Sequence, residues 1–349
     1  MTTKAKINLY DLDSSEMEAL ITSWGEPSYR ARQIWVWLYK HLAADISEMT
    51  SLSKALREKL SEETTLYIPP VLAEQESLDG ETRKDLLQMV DGEKVEVVLM
   101  HYINRDSACL STQVGCALGC KFCATGQMGF VRNLTSGEIV SQALHVQRAL
   151  LARGRKLTNI VLMGMGEPLN NYDHTLAAMR RFIDPEGFQF GQRRITLSTA
   201  GVVPGIRKLA REGLQVNLAI SLHAATDALR TQIMPINKRY PLDELFSAVN
   251  TYIEKTNRRV TFEWALMNDL NDTMEQAEAL AARIEGMLAH VNLIPLNPTG
   301  DYAMQPSAPE NIEAFTAILD RHHINYTVRL RRGIDIQAGC GQLRRRESA

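Results

Sequence analysis

From Ile160 onward the chain alternates short apolar strands with amphipathic helices, and that alternation restricts the fold more than any other feature. Ile160 to Met163, Ile195 to Ser198, Val216 to Leu222 and Val291 to Ile294 read as strands, and the every-other-residue set Val260, Phe262, Trp264 and Leu266 reads as another. Helical stripes lie among them, at Ala277, Leu280, Ala281, Ile284 and Leu288, and at Ile312, Phe315 and Leu319. Upstream, Cys109 to Gln113 reads as a short strand. Thr135 and Glu138 then fit a capping box ahead of Ile139, Ala143, Val146 and Leu150 on one helix face. About six β/α units in succession imply a parallel sheet, open or closed into a barrel. In barrels, reactive groups sit at the C-terminal ends of the strands.

The first 70 or so residues read as helical instead. Ser15 and Glu18 fit a capping box; Ala31, Ile34, Trp35 and Leu38 share one face, as do Leu52, Ala55, Leu56 and Leu60. Pro69-Pro70 ends the pattern. Asp91-Gly92 between Leu86 to Val90 and Val95 to Met100 then signals a hairpin.

A net charge of −2 argues against coating nucleic acid through bulk positive charge, without excluding a local basic face. Arginines cluster at Arg193-Arg194, Arg258-Arg259, Arg329 with Arg331-Arg332, and Arg344 to Arg346; each cluster alone reads as solvated surface. The sequence at the start carries no apolar signal segment, and no run is long enough for a membrane span, so a cytoplasmic protein is expected. In a reducing compartment the five cysteines are better read as metal ligands or catalytic groups than as a disulfide framework.

Three of them form the run Cys116-Ala-Leu-Gly-Cys120-Lys-Phe-Cys123. Thiolates at this spacing can hold three irons of a cubane [4Fe–4S] cluster, leaving the fourth iron open. A structural zinc site wants four ligands and usually pairs its cysteines as C-x₂-C. The run resembles the signature of radical S-adenosylmethionine (SAM) enzymes, in which the open iron binds SAM. That resemblance selects a partial barrel of six β/α units. Gly164-Met165-Gly166-Glu167-Pro168, one strand later, is similar to the glycine-rich motif that holds the SAM amino group in those enzymes.

Together with Ser221-Leu222-His223, Met234-Pro-Ile-Asn237 and Ala338-Gly-Cys-Gly-Gln342, these motifs resemble the RlmN-type family of bacterial dual-specificity RNA methyltransferases over nearly the whole chain. The resemblance implies an α/β fold, a partial (β/α)6 radical-SAM barrel with a small N-terminal helical domain. The corresponding division is 1–75 helical accessory domain, 76–106 connecting β-hairpin, 107–330 partial barrel and 331–349 tail. It implies methylation of adenine C2 at adenosine-2503 of 23S rRNA and adenosine-37 of certain tRNAs. Cys116, Cys120 and Cys123 would hold one [4Fe–4S] cluster, and Gly166, Glu167, Ser198, Ser221, Leu222, His223 and Asn297 would contact SAM, two molecules of it per turnover.

Adenine C2 is electron-poor and has no lone pair with which to attack a methyl group, so a carbon radical is needed and the cofactors supply it. In the family mechanism Cys340 takes a methyl from one SAM. A radical from a second SAM removes hydrogen from that methyl, and the resulting methylene joins C2. Glu96 is the base implied for the C2 proton, although a carboxylate is a poor base unless burial raises its pKa. Cys109 then attacks the Cys340 sulfur, releasing the product and leaving a disulfide that a cellular reductant must reopen. By itself, Cys109 would read as a buried strand cysteine, Cys340 as a tail cysteine, Glu96 as an exposed strand carboxylate and His223 as a structural imidazole. Gly339 and Gly341 let the tail bend. A stacked adenine hides C2, so a single-stranded or flipped target is expected. A monomer is expected. The alternatives are a C8-directed adenosine methyltransferase, from which Pro168 distinguishes this chain, and a non-enzymatic zinc-binding RNA module.

Overall fold

The structure is a computed structural model that describes residues 6–296, 304–329, 332–339 and 342–343. Two-residue strands β1 (Ile7–Asn8) and β2 (Thr64–Thr65) pair in parallel around three helices, α1 (Ser14–Ser23), α2 (Tyr29–Tyr39) and α3 (Lys54–Glu63). The apolar faces read from the sequence are buried at Ala31, Ile34, Trp35, Leu38, Leu56 and Leu60. Ala55 is exposed, and Leu52 is buried ahead of the helix. The first capping box is formed by Asp13 and Glu16, not by Ser15 and Glu18. Ser15 Oγ instead donates to Asp13 Oδ1 at 2.6 Å, so the earlier acid captures the helix start.

A ten-stranded mixed sheet follows. Its antiparallel part is β3 (Val71–Glu76), β4 (Thr82–Gln88), β5 (Lys94–Tyr102) and β6 (Arg105–Cys109). The Asp91-Gly92 turn joins β4 and β5 as expected. However, β4 begins at Thr82 and ends before Val90, which is exposed. The stretch read as one strand from Cys109 to Gln113 is divided, because β6 ends at Cys109 and β7 (Gln113–Gly115) pairs elsewhere, with β8 (Phe130–Asn133) across the short helix α4 (Ala124–Gln127).

The parallel part then runs α5 (Ser136–Leu151), β9 (Asn159–Leu162), α6 (Tyr172–Ile183), β10 (Ile195–Thr199), α7 (Val203–Leu209) and β11 (Asn217–Ser221). It continues with α8 (Asp227–Ile233), α9 (Leu242–Thr256), β12 (Val260–Leu266), α10 (Met274–Ile284), β13 (Ala289–Pro295), α11 (Pro309–Arg321) and β14 (Tyr326–Val328). Strand order β6-β9-β10-β11-β12-β13-β14 is parallel throughout and gives six β/α units. Thr135 caps α5 with the expected box to Glu138. Leu288, assigned to a helical stripe, lies beyond the end of α10 and is exposed.

Alternation explains the layering. Ile160 and Leu162, Leu218 and Ile220, Phe262 and Trp264, and Val291 and Leu293 belong to the apolar core. Residues of the other parity, including Asn159, Thr196, Asn217, Thr261 and Asn292, face one common cavity, so the sheet must curl around it. The N-terminal helices dock on the outside. Gly137 N–H donates to Asp11 at 3.0 Å, the Arg181 guanidinium donates to the carbonyls of Tyr10 and Asp11, and Trp35 Nε1 donates to Asp184 at 2.9 Å. No helix among the described residues is long and apolar enough to cross a membrane.

Candidate active site

The β7–β8 ribbon holds the cysteine loop at its base. Gly115 stands opposite Phe130 with φ +77°, and a Cβ there would lie 2.0 Å from the Gly129 carbonyl oxygen, so only glycine fits. Cys116 N–H donates to that same oxygen at 2.9 Å, Cys123 N–H donates to Cys120 O at 3.2 Å, and Lys121 N–H donates to Ile233 O at 3.0 Å. All three thiols line one cavity at the C-terminal ends of the strands. Burial pushes the Cys116 thiol up to about 12, Cys120 well above its usual value, and Cys123 upward. Alone they stay protonated at neutral pH; bound iron would deprotonate them. Among the described residues no three His, Cys, Asp or Glu side chains converge tightly enough for a single metal ion. Three thiols spread around one cavity fit a cluster whose irons each take one thiolate.

Gly166, Glu167, Ser198, Ser221 and His223 line this cavity with the thiols. Gly166 has φ +103°, and a Cβ there would meet Gln113 at 2.6 Å. Glu167 is buried and accepts from the backbone N–H of Ala200 at 2.8 Å and of Leu169 at 3.0 Å. Burial outweighs these bonds and raises its pKa to about 7. A ligand ammonium would restore the carboxylate. His223 has φ +56°, and its carbonyl accepts from Asn271 Nδ2 at 2.8 Å. Burial, with the Arg230 charge, lowers its pKa to about 3, so the ring is neutral. His223 Nδ1 accepts from Ala265 N–H at 2.8 Å, which leaves its proton on Nε2. Ser198 is the penultimate residue of β10, and Ser221 ends β11. The Leu222 side chain is buried in the core and does not line the cavity. Asn297 and Cys340 lie outside the described residues.

A second cavity, of about 730 Å³, shares Cys123, Met163, Gly164 and Glu263 with the first and continues down the lumen. Cys109 lines it and stands opposite Val98 of β5. Glu96 is two residues from Val98 and so on the same side of β5. It is buried rather than exposed, and pairs with the equally buried Lys84 at 3.1 Å. Removing one partner of such a pair costs about 3–5 kcal/mol. Lys84 Nζ also donates to the Gln337 carbonyl at 3.3 Å. Ala338, Gly339 and Leu343 line the cavity, and Thr125 Oγ1, two residues past the last cysteine of the run, donates to Leu343 O at 2.7 Å. At the other end Arg193, Arg258, Arg259 and Arg329 gather around the mouth with Asn159, Asn217 and His290. These arginine clusters, read singly as solvated surface, share one opening.

Residues 7–66 match the family of ribosomal RNA large subunit methyltransferase N-terminal domains, and residues 110–281 match the radical SAM superfamily. The dual-specificity RNA methyltransferase RlmN 1 of Myxococcus xanthus is 50% identical over 344 residues, covering 99% of this chain and 96% of that one. A probable dual-specificity RNA methyltransferase RlmN of Dictyoglomus turgidum is 47% identical over 337 residues, covering 97% and 96%. The crystal structure of a radical SAM methyltransferase from Sphaerobacter thermophilus superposes with a TM-score of 0.95 at 49% identity, covering 97% of this chain and all of that one. The chain belongs to the RlmN family. It therefore has the radical-SAM fold and is a methyltransferase whose family implies an iron–sulfur cluster and SAM.

Sequence reasoning on this RlmN-family chain missed Glu263, Lys84 and Arg230. Glu263 sits where the two cavities meet; burial raises its pKa, and it accepts from Asn292 at 3.0 Å. Its signal was available, since it has the inward parity of a strand whose outward parity is apolar. Lys84 and Arg230 gave no comparable signal, because each is one cation in a polar or mixed stretch.

Proposed function

We propose that this protein methylates C2 of adenosine in RNA, at the 23S rRNA and tRNA positions implied by the family resemblance. The observation that supports this most is a pair of adjoining cavities that share Cys123, Met163, Gly164 and Glu263, the first lined by the three thiols and the second by Cys109 and the four arginines. Cys116, Cys120 and Cys123 would hold the cluster. Glu167 would accept from the SAM ammonium, with Gly166, Ser198, Ser221, His223 and Asn297 around it and Leu222 packed behind them; the remaining ring donor of His223 is its Nε2–H. The cluster and SAM together supply the carbon radical chemistry that an electron-poor carbon requires.

The chain's own groups do the rest. The arginines of the lower mouth hold phosphates while an unstacked adenine enters the lumen. Cys340 carries the methyl group, and the described residues near it, Gly339 and Leu343, line the same cavity as Cys109. Glu96, held by the Lys84 ammonium at 3.1 Å, takes the C2 proton. The Cys109 thiolate attacks the Cys340 sulfur, the sulfur–methylene bond breaks as the S–S bond forms, the freed carbon takes a proton to become the methyl group of the product, and a cellular reductant reopens the disulfide. Two SAM molecules are used per turnover. The protein works in the cytoplasm as a monomer, with 1–75 as an accessory domain, 76–106 as the connecting hairpin, 107–330 as the catalytic barrel and 331–349 as the carrier tail.

The test is mass spectrometry of 23S rRNA and tRNA from cells with and without this protein. Loss of 2-methyladenosine with its removal is the expected result. An unchanged 2-methyladenosine content, or loss of 8-methyladenosine instead, overturns the C2 reading.

A further inference from the structure

Arg230, on α8, has no exposed surface. Its Nε donates to Leu222 O at 3.2 Å, Nη1 to Asn237 Oδ1 at 3.0 Å, and Nη2 to Ala200 O at 2.7 Å and Ser221 O at 3.2 Å. Every one of these acceptors is neutral. A guanidinium sealed among neutral groups is costly, and chains keep such a charge where something anionic faces it. Asp227, one turn earlier, is engaged elsewhere. Its Oδ1 accepts from Asn237 Nδ2 at 2.8 Å and Leu242 N–H at 2.9 Å, so Asn237 stands between the carboxylate and the cation.

The other side of Arg230 faces the cysteine cavity. Ala200 and Ser221, whose carbonyls it holds, line that cavity with Cys120 and Met234. Ile233, three residues on along α8, accepts from the Lys121 N–H inside the cysteine loop. Burial lowers the Arg230 pKa to about 10, with Asp227 opposing it, which leaves the guanidinium protonated at neutral pH. In this apolar surrounding a fixed cation acts with little screening.

We propose that Arg230 is a positioning residue for the redox step, a built-in counter-cation whose charge stabilises the reduced cluster and raises its midpoint potential. A cluster bound by three thiolates is anionic, and reduction adds one more negative charge, so a nearby cation favours the reduced form. This rests on the cluster assignment above.

The test is an EPR-monitored redox titration of the full-length, cluster-loaded protein, with iron and sulfide content measured alongside. Arg230→Gln should lower the midpoint potential, and Arg230→Lys should stay near wild type. A second variant avoids emptying the buried site. The double exchange Asp227→Asn, Asn237→Asp keeps total charge and most of the hydrogen bonds but brings the carboxylate against Arg230. It should also lower the potential. Full iron content with an unchanged midpoint in the double variant, or in Arg230→Gln where that protein folds, overturns the role of Arg230 and leaves the cluster standing. Wild-type protein that takes up no iron and sulfide overturns the cluster assignment itself.

Discussion

The two ends of the lumen are built from the same strands and hold charge in opposite ways. At the C-terminal end, burial drives groups toward neutrality: three thiols keep their protons, Glu167 titrates near 7, and His223 is neutral. At the N-terminal end Arg193, Arg259 and Arg329 keep permanent charge in contact with water. The first end would take its charge from what the proposed function places there, iron and an ammonium. The second is charged in advance and suits a polyanion. A partial barrel can separate two such environments because strand alternation carries polar side chains through an otherwise apolar wall.

The largest expected effect removes the upper end altogether. Alanine at Cys116, Cys120 or Cys123 should abolish iron uptake and all SAM cleavage, read as iron content and 5′-deoxyadenosine release; full iron and activity in any one variant would break the contrast. Next is the junction. Cys109→Ala should lose turnover and accumulate a covalent protein–RNA adduct through Cys340, visible after RNase digestion as a nucleotide mass on the Cys340 peptide. The adduct should vanish when Cys340→Ala is added. Normal turnover without adduct would make Cys109 a packing residue only.

A smaller effect sharpens the upper end. Folded Glu167 keeps its proton up to about pH 7, whereas an ordinary glutamate carboxyl titrates at 4.5. The folded state thus binds more protons between these values, so this residue's contribution to stability falls as pH rises through that window. The size is about 3 kcal/mol at one pKa unit per 1.36 kcal/mol. Urea denaturation of cluster-free wild type and Glu167→Gln at pH 5 and pH 8 should show wild type losing most of that amount relative to the variant. Parallel profiles would place Glu167 in an ordinary carboxylate environment. The smallest effect tests the lower end. Arg259→Ala should weaken RNA binding and reduce the slope of log affinity against log salt by about one. An unchanged slope would take Arg259 out of phosphate contact.

Local patterns were legible because they are complete within a few residues. The Thr135–Glu138 box, the Asp91-Gly92 turn, the β/α alternation and the cysteine run all appear where the sequence places them. Where two overlapping patterns competed, as at Asp13-x-x-Glu16 and Ser15-x-x-Glu18, spacing alone could not choose between them, and the helix began at the earlier one. The misplaced stripe members Ala55 and Leu288 lie at or beyond helix ends, where periodicity is weakest. Convergence was not legible at all. Arg193 and Arg329 are distant in sequence and meet only because the sheet curls, and the burial of Arg230 depends on carbonyls from two different strands and their loops.

The bond from Thr125 to the Leu343 carbonyl joins residues 218 positions apart. A chain emerges from the ribosome with its N-terminal parts first. The residues of the cysteine loop and of every parallel strand are therefore synthesised before Leu343. Synthesis thus orders the pieces: Cys109 and the thiols of the cysteine run precede Cys340, and the contact that ties the tail to the cysteine loop can form only after Leu343 is made. Leu343 then fastens the tail to Thr125, two residues past Cys123, beside the cavity that Gly339 and Leu343 help to line.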